Sequence, residues 1–241
     1  MGYVDLHCHL LWGIDDGCRA PEEALEAASA LVDLGYSDAA ATPHARSDFP
    51  SQDGALCQAR FDELRSLLAR EGVPLQVHRG AENFLDDAFM ERLGRGEPRG
   101  FGESGRYVLL ELPFATAVPK LPDLVFRVKL KGHSPVFAHP ERCAEFERPG
   151  RAEEVVRLGG ALQLDLGALL GRYGREPRRV AERILDAGLY AIAATDLHGP
   201  AEARRWVAEA HRALARRAGE EAAARLLGDN PRRALGGEEL A

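Results

Sequence analysis

The strongest constraint on the fold is an alternation that runs the length of the chain. Short runs of small, branched or aliphatic residues at 4–6, 39–41, 75–77, 107–112, 135–138, 161–166 and 191–194 lead into polar residues or turns, and helical segments lie between most of them. Pro21 suits the first turn of a helix over 21–34; Leu25, Ala28 and Val32 share its apolar stripe, and Gly35 closes it. Phe61, Leu64 and Leu68 give 55–70 one apolar face before Gly72. Further helices are predicted at 121–131, 151–158 and 177–187, with helical segments filling 201–227. Seven such strands in succession predict an α/β fold with a parallel sheet, most simply closed into a barrel. No shift of composition marks a boundary, so residues 1–241 read as one domain, and the glycine-rich stretch 94–105 reads as a long loop within it.

In a barrel the chemistry sits at the C-terminal ends of the strands. His7 and His9 stand two apart at the end of the first strand, which puts them on one face, and Asp196 and His198 repeat that spacing after the last. His44, Glu82, Glu111 and His139 each follow a different strand, and Asp16 lies in the loop after the first. One H-x-H in a chain with eight histidines is a weak signal, but nine such residues recurring at the same end of successive strands are not. Nine mixed imidazole and carboxylate ligands exceed one ion's needs, so we expect three divalent ions sharing them, with one bridging carboxylate. Asp16, Glu82, Glu111 and Asp196 contribute −4 against +6, a centre of net +2 that attracts an anion such as phosphate. This donor set suits Mn, Fe or Zn better than Mg or Ca.

Composition removes several alternatives. With 31 basic and 38 acidic side chains the net charge is −7, without the basic excess of a nucleic-acid-binding surface. There is no apolar run long enough to span a bilayer and no signal-peptide pattern at the start, so no stable membrane insertion is expected. Cys8, Cys18, Cys57 and Cys143 are scattered, which reads as reduced thiols and a cytoplasmic protein. The cysteine-phosphatase signature Cys-x5-Arg is absent, because Ile14, Ala24, Glu63 and Pro149 stand where the arginine should.

Several segments together resemble the PHP (polymerase and histidinol phosphatase) superfamily: Asp5-Leu6-His7-Cys8-His9, Ala41-Thr42-Pro43-His44, Gly80-Ala81-Glu82, Leu110-Glu111-Leu112-Pro113 and Thr195-Asp196-Leu197-His198. Gly13-Ile14-Asp15-Asp16-Gly17, His139-Pro140-Glu141-Arg142 and Leu169-Leu170-Gly171-Arg172-Tyr173-Gly174 are most similar to the bacterial manganese-dependent protein-tyrosine phosphatases of capsule and exopolysaccharide loci. The resemblance implies a distorted TIM-like (β/α)7 barrel of the PHP type holding three ions, most simply Mn2+. It implies a first ion on His7, His9, Glu82 and Asp196, with Glu82 bridging to a second completed by Glu111 and His139. A third would take Asp16, His44 and His198. Arg142, Asp196 and His198 would serve catalysis, with Arg142 near the phosphate and Arg46 and Arg172 as further candidates for phosphate contact. The implied reaction is attack of a metal-bound hydroxide on phosphotyrosine in protein, with a bacterial tyrosine autokinase that regulates exopolysaccharide synthesis as the candidate partner.

Three departures bear on substrate recognition. Ala45 and Arg46 follow the Thr-Pro-His run, Gly199-Pro200 follows the last histidine, and Ala168 stands where relatives carry a small hydroxyl residue. A small-molecule phosphatase such as a histidinol-phosphate phosphatase is the main alternative, followed by a nuclease-like module or a non-catalytic PHP binding module. His78, His133 and His211 fall outside the constellation, Cys8 reads as a core residue, and Asp15 as a turn or supporting residue. Trp12 either flanks the pocket or simply packs.

Overall fold

In the computed structural model, which describes residues 2–118 and 120–241, every strand pairing is parallel. The first half runs β1 (Tyr3–Cys8), α1 (Pro21–Asp33), β2 (Tyr36–Ala41), β3 (His44–Ala45), α2 (Gly54–Glu71), β4 (Gln76–Arg79), β5 (Glu82–Phe84) and α3 (Asp87–Arg95). The second half runs β6 (Tyr107–Glu111), α4 (Leu121–Leu130), β7 (Ser134–Ala138), α5 (Ala144–Glu147), α6 (Arg151–Arg157), β8 (Ala161–Asp165), α7 (Arg175–Asp186) and β9 (Ile192–Ala194). Short helices α8 (Pro200–Glu202), α9 (Ala208–Ala218), α10 (Glu220–Ala224) and α11 (Asn230–Gly236) finish the chain, with π-helical turns at Ala203–Val207 and Arg225–Asp229.

One sheet has the order β1-β2-β4 and the other β3-β5-β6-β7-β8-β9. They form one ring. β2 runs into β3 across Thr42-Pro43, and β4 into β5 across Gly80-Ala81, so the nine strands are seven staves with two of them broken. Pro43 has no N–H for a ladder, but its carbonyl accepts from Glu82 N at 3.1 Å and ties the break together. A Cβ on Gly80 would lie 2.9 Å from Thr42 Cγ2, so only glycine lets the two broken staves approach this closely. At the other seam, Cys8 bridges Leu197, while His9 N donates to Leu197 O (2.8 Å) and Asp196 N to His7 O (2.9 Å).

A bulge in β1 aims the first two histidines. Asp5 pairs with Ala39 and Cys8 with Ala41, three steps against two. Val4 and Leu6 pack in the cluster that contains Leu109, Val136 and Ile192, whereas Cys8 packs in the separate cluster that contains the helix residues Ala24, Leu31 and Val128. The extra residue therefore shifts the alternation, turning His7 inward along with Leu6 and leaving Cys8 outward. Ala234 packs into the inner cluster and Arg232 donates to Gly2 O at 2.8 Å, so the C-terminal helix covers the end of the barrel away from the strand C-termini.

Helix α3 departs from the sequence expectation, because it begins before residue 94 and carries Gly94 and Arg95 into a helix. Asp86 caps it by accepting from Phe89 N (2.7 Å), Phe89 and Leu93 are buried, and Gly96 ends it in the left-handed conformation.

Candidate metal centre

The ends of the staves converge on one cluster, buried except at Asp16, which is exposed, and His198, which is half-buried. His7 Nδ1 donates to Gln163 Oε1 (2.9 Å), and the Gln163 amide is itself oriented by donation to Leu164 O (2.7 Å). His9 Nδ1 donates to Asp15 Oδ2 (2.8 Å), whose carboxylate also accepts from Gly17 N and His44 N. Each partner fixes the ring and leaves the Nε2 lone pair free to ligate.

Those Nε2 atoms lie 3.4 Å apart, facing Glu82 Oε2 and Asp196 Oδ1. The four imidazole–carboxylate separations are 3.1, 3.3, 3.4 and 3.5 Å. Donors about 2.1 Å from a shared ion in a tetrahedral arrangement stand about 3.4 Å apart, so the spacing is that of an ion's ligand shell. His44, Glu82 and Glu111 form a second group, and His9, Asp16, His44 and His198 a third. His139 Nε2 lies 2.8 Å from Glu82 Oε1. The structure thus brings together all nine residues singled out from the sequence, with two differences in grouping. His44 lies with Glu82 and Glu111 where His139 was expected, and His9 joins Asp16, His44 and His198.

Unpartnered atoms show that these residues fit metal ions. Among the described residues, His44 Nδ1, Glu82 Oε2, Glu111 Oε2 and His139 Nδ1 are buried without a hydrogen-bond partner. His44 Nδ1 and Glu82 Oε2 are only 2.9 Å apart yet not aligned for a hydrogen bond, so a third group is needed to satisfy both. Two of the four non-glycine residues with left-handed backbone among the described residues lie here, His139 (φ 31°) and Asp196 (φ 51°).

Without cations, protons balance the carboxylates. Burial opposes a charged imidazole, yet Glu82 and Asp196 carry His7 up to about 10. Against the same burial, Asp16 and Glu82 carry His44 to about 11, and Asp16 and Asp196 carry His198 to about 9. Burial and the charge on Glu82 raise Glu111 to about 7. Ions entering at pH 7 must therefore expel protons. We expect divalent-cation affinity to rise with pH between 6 and 9, by about tenfold per unit for each proton displaced. Calorimetric titration in buffers of different ionisation enthalpy measures this release; pH-independent binding with no proton released would contradict it.

The three arginines have different surroundings. Arg142 NH1 pairs with Asp196 Oδ2 at 2.8 Å, and its guanidinium lies between the rings of Phe114 (4.6 Å) and Tyr173 (4.3 Å). Arg46 is held by Asp48 and lies over Phe49 and Phe84, 3.9 Å from Glu111 Oε2. Arg172 bonds Glu202 (2.9 Å) and stacks on Trp206; Glu202 in turn accepts from His198 N, so Arg172 reaches the cluster only through that carboxylate.

Gln163, Asp165, Phe49 and Phe114 were not singled out from the sequence. A glutamine inside the buried run Ala161-Leu162-Gln163-Leu164 was the one legible signal, because an inward polar side chain needs a partner. Phe49 stacks on His44 (5.1 Å between centroids), and Phe114 meets the His139 ring edge-on at 5.4 Å. Trp12 does not flank the site; it packs under Arg60 on the outer side of α2. His78, His133 and His211 bond Asp38, Gly105 O and Tyr36, away from the cluster.

Gly17 explains the glycine that ends Gly13-Ile14-Asp15-Asp16-Gly17. A Cβ there would fall 2.4 Å from both His9 Cβ and His9 O. Gly17→Ala is expected to displace His9, lowering stability by about 1–3 kcal/mol and metal affinity with it. Thermal denaturation and metal analysis check this; a variant with unchanged metal content would contradict it.

The comparisons with known proteins agree with this geometry. Tyrosine-protein phosphatase YwqE of Bacillus subtilis is 31% identical over 196 residues, covering 81% of this chain and 77% of that protein. Tyrosine-protein phosphatase CpsB of Streptococcus pneumoniae is 23% identical over 238 residues, 96% of this chain and 98% of that one. A solved structure from work on YwqE and CpsB, described as metal-dependent tyrosine phosphatases, superposes with a TM-score of 0.90 at 29% identity, covering 99% of this chain and 96% of the other. The family model for capsular polysaccharide synthesis proteins of the CpsB/CapC type matches residues 3–236, and the chain belongs to that family.

Proposed function

We propose that this protein is a metal-dependent phosphatase that hydrolyses phosphotyrosine in protein. The observation that carries the reading is the imidazole–carboxylate cluster at the strand ends, with donor atoms spaced as a ligand shell and four buried polar atoms, on His44, Glu82, Glu111 and His139, left unpartnered. The names of the relatives supply the substrate class. We assign His7, His9, Glu82, Asp196, Asp16, His44, His198, Glu111 and His139 as ligands of three ions, with Mn2+ the preferred metal. When bound, such ions polarise a phosphoryl oxygen and lower the pKa of water.

The chain's own residues do the rest. Gln163 and Asp15 orient the two imidazoles of the first group. Asp196 acts on two sides, with Oδ1 toward His7 and His9 and Oδ2 on Arg142, so the arginine is held beside the centre. Arg142 then grips phosphate oxygens through the remaining N–H groups of its fork. Phe114, half-exposed and edge-on to His139, offers apolar surface to a tyrosyl group, while Phe49 is stacked on His44 and holds that imidazole in place. No thiol competes as nucleophile, since burial pushes Cys8, Cys18, Cys57 and Cys143 upward. The physiological substrate we infer is a tyrosine autokinase governing exopolysaccharide synthesis, met in the cytoplasm; no helix among the described residues is long and apolar enough to cross a membrane.

Phosphate release from a tyrosine-phosphorylated peptide and from histidinol phosphate, measured side by side on metal-loaded protein, tests the reading. Preference for the peptide supports it. Preference for histidinol phosphate would keep the metal chemistry and replace the substrate.

A further inference from the structure

Asp165 ends β8 inside the protein, fully buried. Its Oδ1 accepts from Gly167 N (2.8 Å), and its backbone N–H donates to Glu141 Oε1 (2.8 Å). Glu141 is fully enclosed as well and accepts from Tyr190 OH at 2.8 Å, so the backbone of Asp165 is anchored on a second buried acid. Its other carboxylate oxygen, Oδ2, has no hydrogen-bond partner and stands 3.5 Å from Arg142 NH1. A buried carboxylate left half-satisfied is costly unless a cation compensates it, and Arg142 is the cation beside it.

We propose that Asp165 is a positioning residue for Arg142, holding the guanidinium in its slot between Phe114 and Tyr173 before substrate arrives. This rests on Arg142 as the phosphate-gripping residue of the proposed function. Two carboxylates, Asp196 and Asp165, converge on the NH1 arm and two rings close on the guanidinium. An arginine fixed in this way loses little freedom when an anion binds; a mobile one must be ordered each time. Because the ordering takes place on binding, the effect belongs in KM and in inhibition by inorganic phosphate, with little in kcat.

The test is steady-state kinetics on a tyrosine-phosphorylated peptide with metal-loaded Asp165→Asn, Asp165→Ala, Arg142→Ala and the double variant Asp165→Ala/Arg142→Ala. Asp165→Asn has the same shape and can still accept from Gly167 N, so it separates loss of charge from loss of fold. KM and the phosphate inhibition constant are expected to rise about three- to tenfold in both Asp165 variants, with kcat within about twofold. Asp165→Ala is expected to add nothing once Arg142 is gone, which a merely structural residue would not show. If Arg142→Ala raises KM but the Asp165 variants do not, or if their effects simply add, the positioning role is overturned and the phosphatase reading stands. If Arg142→Ala leaves KM and phosphate inhibition unchanged, the proposal falls together with the assignment of Arg142.

Discussion

Glu82→Gln is expected to lower turnover by at least about a thousandfold and to deplete the bound metal. Glu82 is wholly buried, and its Oε2 belongs both to the group with His7, His9 and Asp196 and to the group with His44 and Glu111. Its Oε1 meanwhile receives His139. Glutamine preserves volume but removes the charge that several imidazoles face, and an amide offers one ligating oxygen in place of two. The change also removes the main attraction that holds a proton on His7 and, beside Asp16, one of those that hold a proton on His44 in the metal-free protein, so both should titrate lower. Elemental analysis and turnover on the same sample measure the effect, with thermal denaturation to show that the variant is folded. Metal content and turnover within tenfold of the parent would refute the shared-carboxylate assignment.

Arg142→Ala is expected to lower kcat/KM by about a hundred- to a thousandfold while leaving the metal content intact. Loss of the guanidinium leaves the first ion group untouched, because Asp196 faces His7 and His9 through Oδ1 and meets Arg142 through Oδ2. What disappears is the planar fork that can take two phosphate oxygens. Arg142→Lys should recover only part of the loss, since an ammonium is a point charge and does not fill the slot between Phe114 and Tyr173 in the same way. Full recovery by lysine would mean that charge alone matters, and unchanged kinetics in Arg142→Ala would remove this residue from the reaction.

Much of the site was legible because strands of a parallel barrel write their ends into the sequence. An apolar run leading to His7, His44, His139 or Asp196 marks both a strand and the face on which its last residue emerges. Features set by tertiary contact were not legible. The bulge between Asp5 and Cys8 changes which side of β1 faces inward, and no local pattern announces it. Two staves are broken at Thr42-Pro43 and Gly80-Ala81, so seven expected strands became nine segments. Proline and glycine marked those places, but each could as well have ended the strand. Asp165 falls inside the strand predicted over 161–166 with nothing to mark it, and its meaning depends on Arg142, which follows β7 on the neighbouring stave. Trp12 shows the opposite limit: adjacency to ligands in sequence did not make it a neighbour of the site, because its side chain packs against α2.

On this reading the cluster at the strand ends hydrolyses phosphotyrosine only when it holds metal. The most direct measurement is phosphate release from a tyrosine-phosphorylated peptide by chelator-stripped protein as Mn2+ is returned, with bound metal determined on the same samples. The expected result is no turnover without metal and turnover that rises as the cluster fills. Turnover by the fully stripped protein, or a filled cluster with no turnover of the peptide, would contradict it.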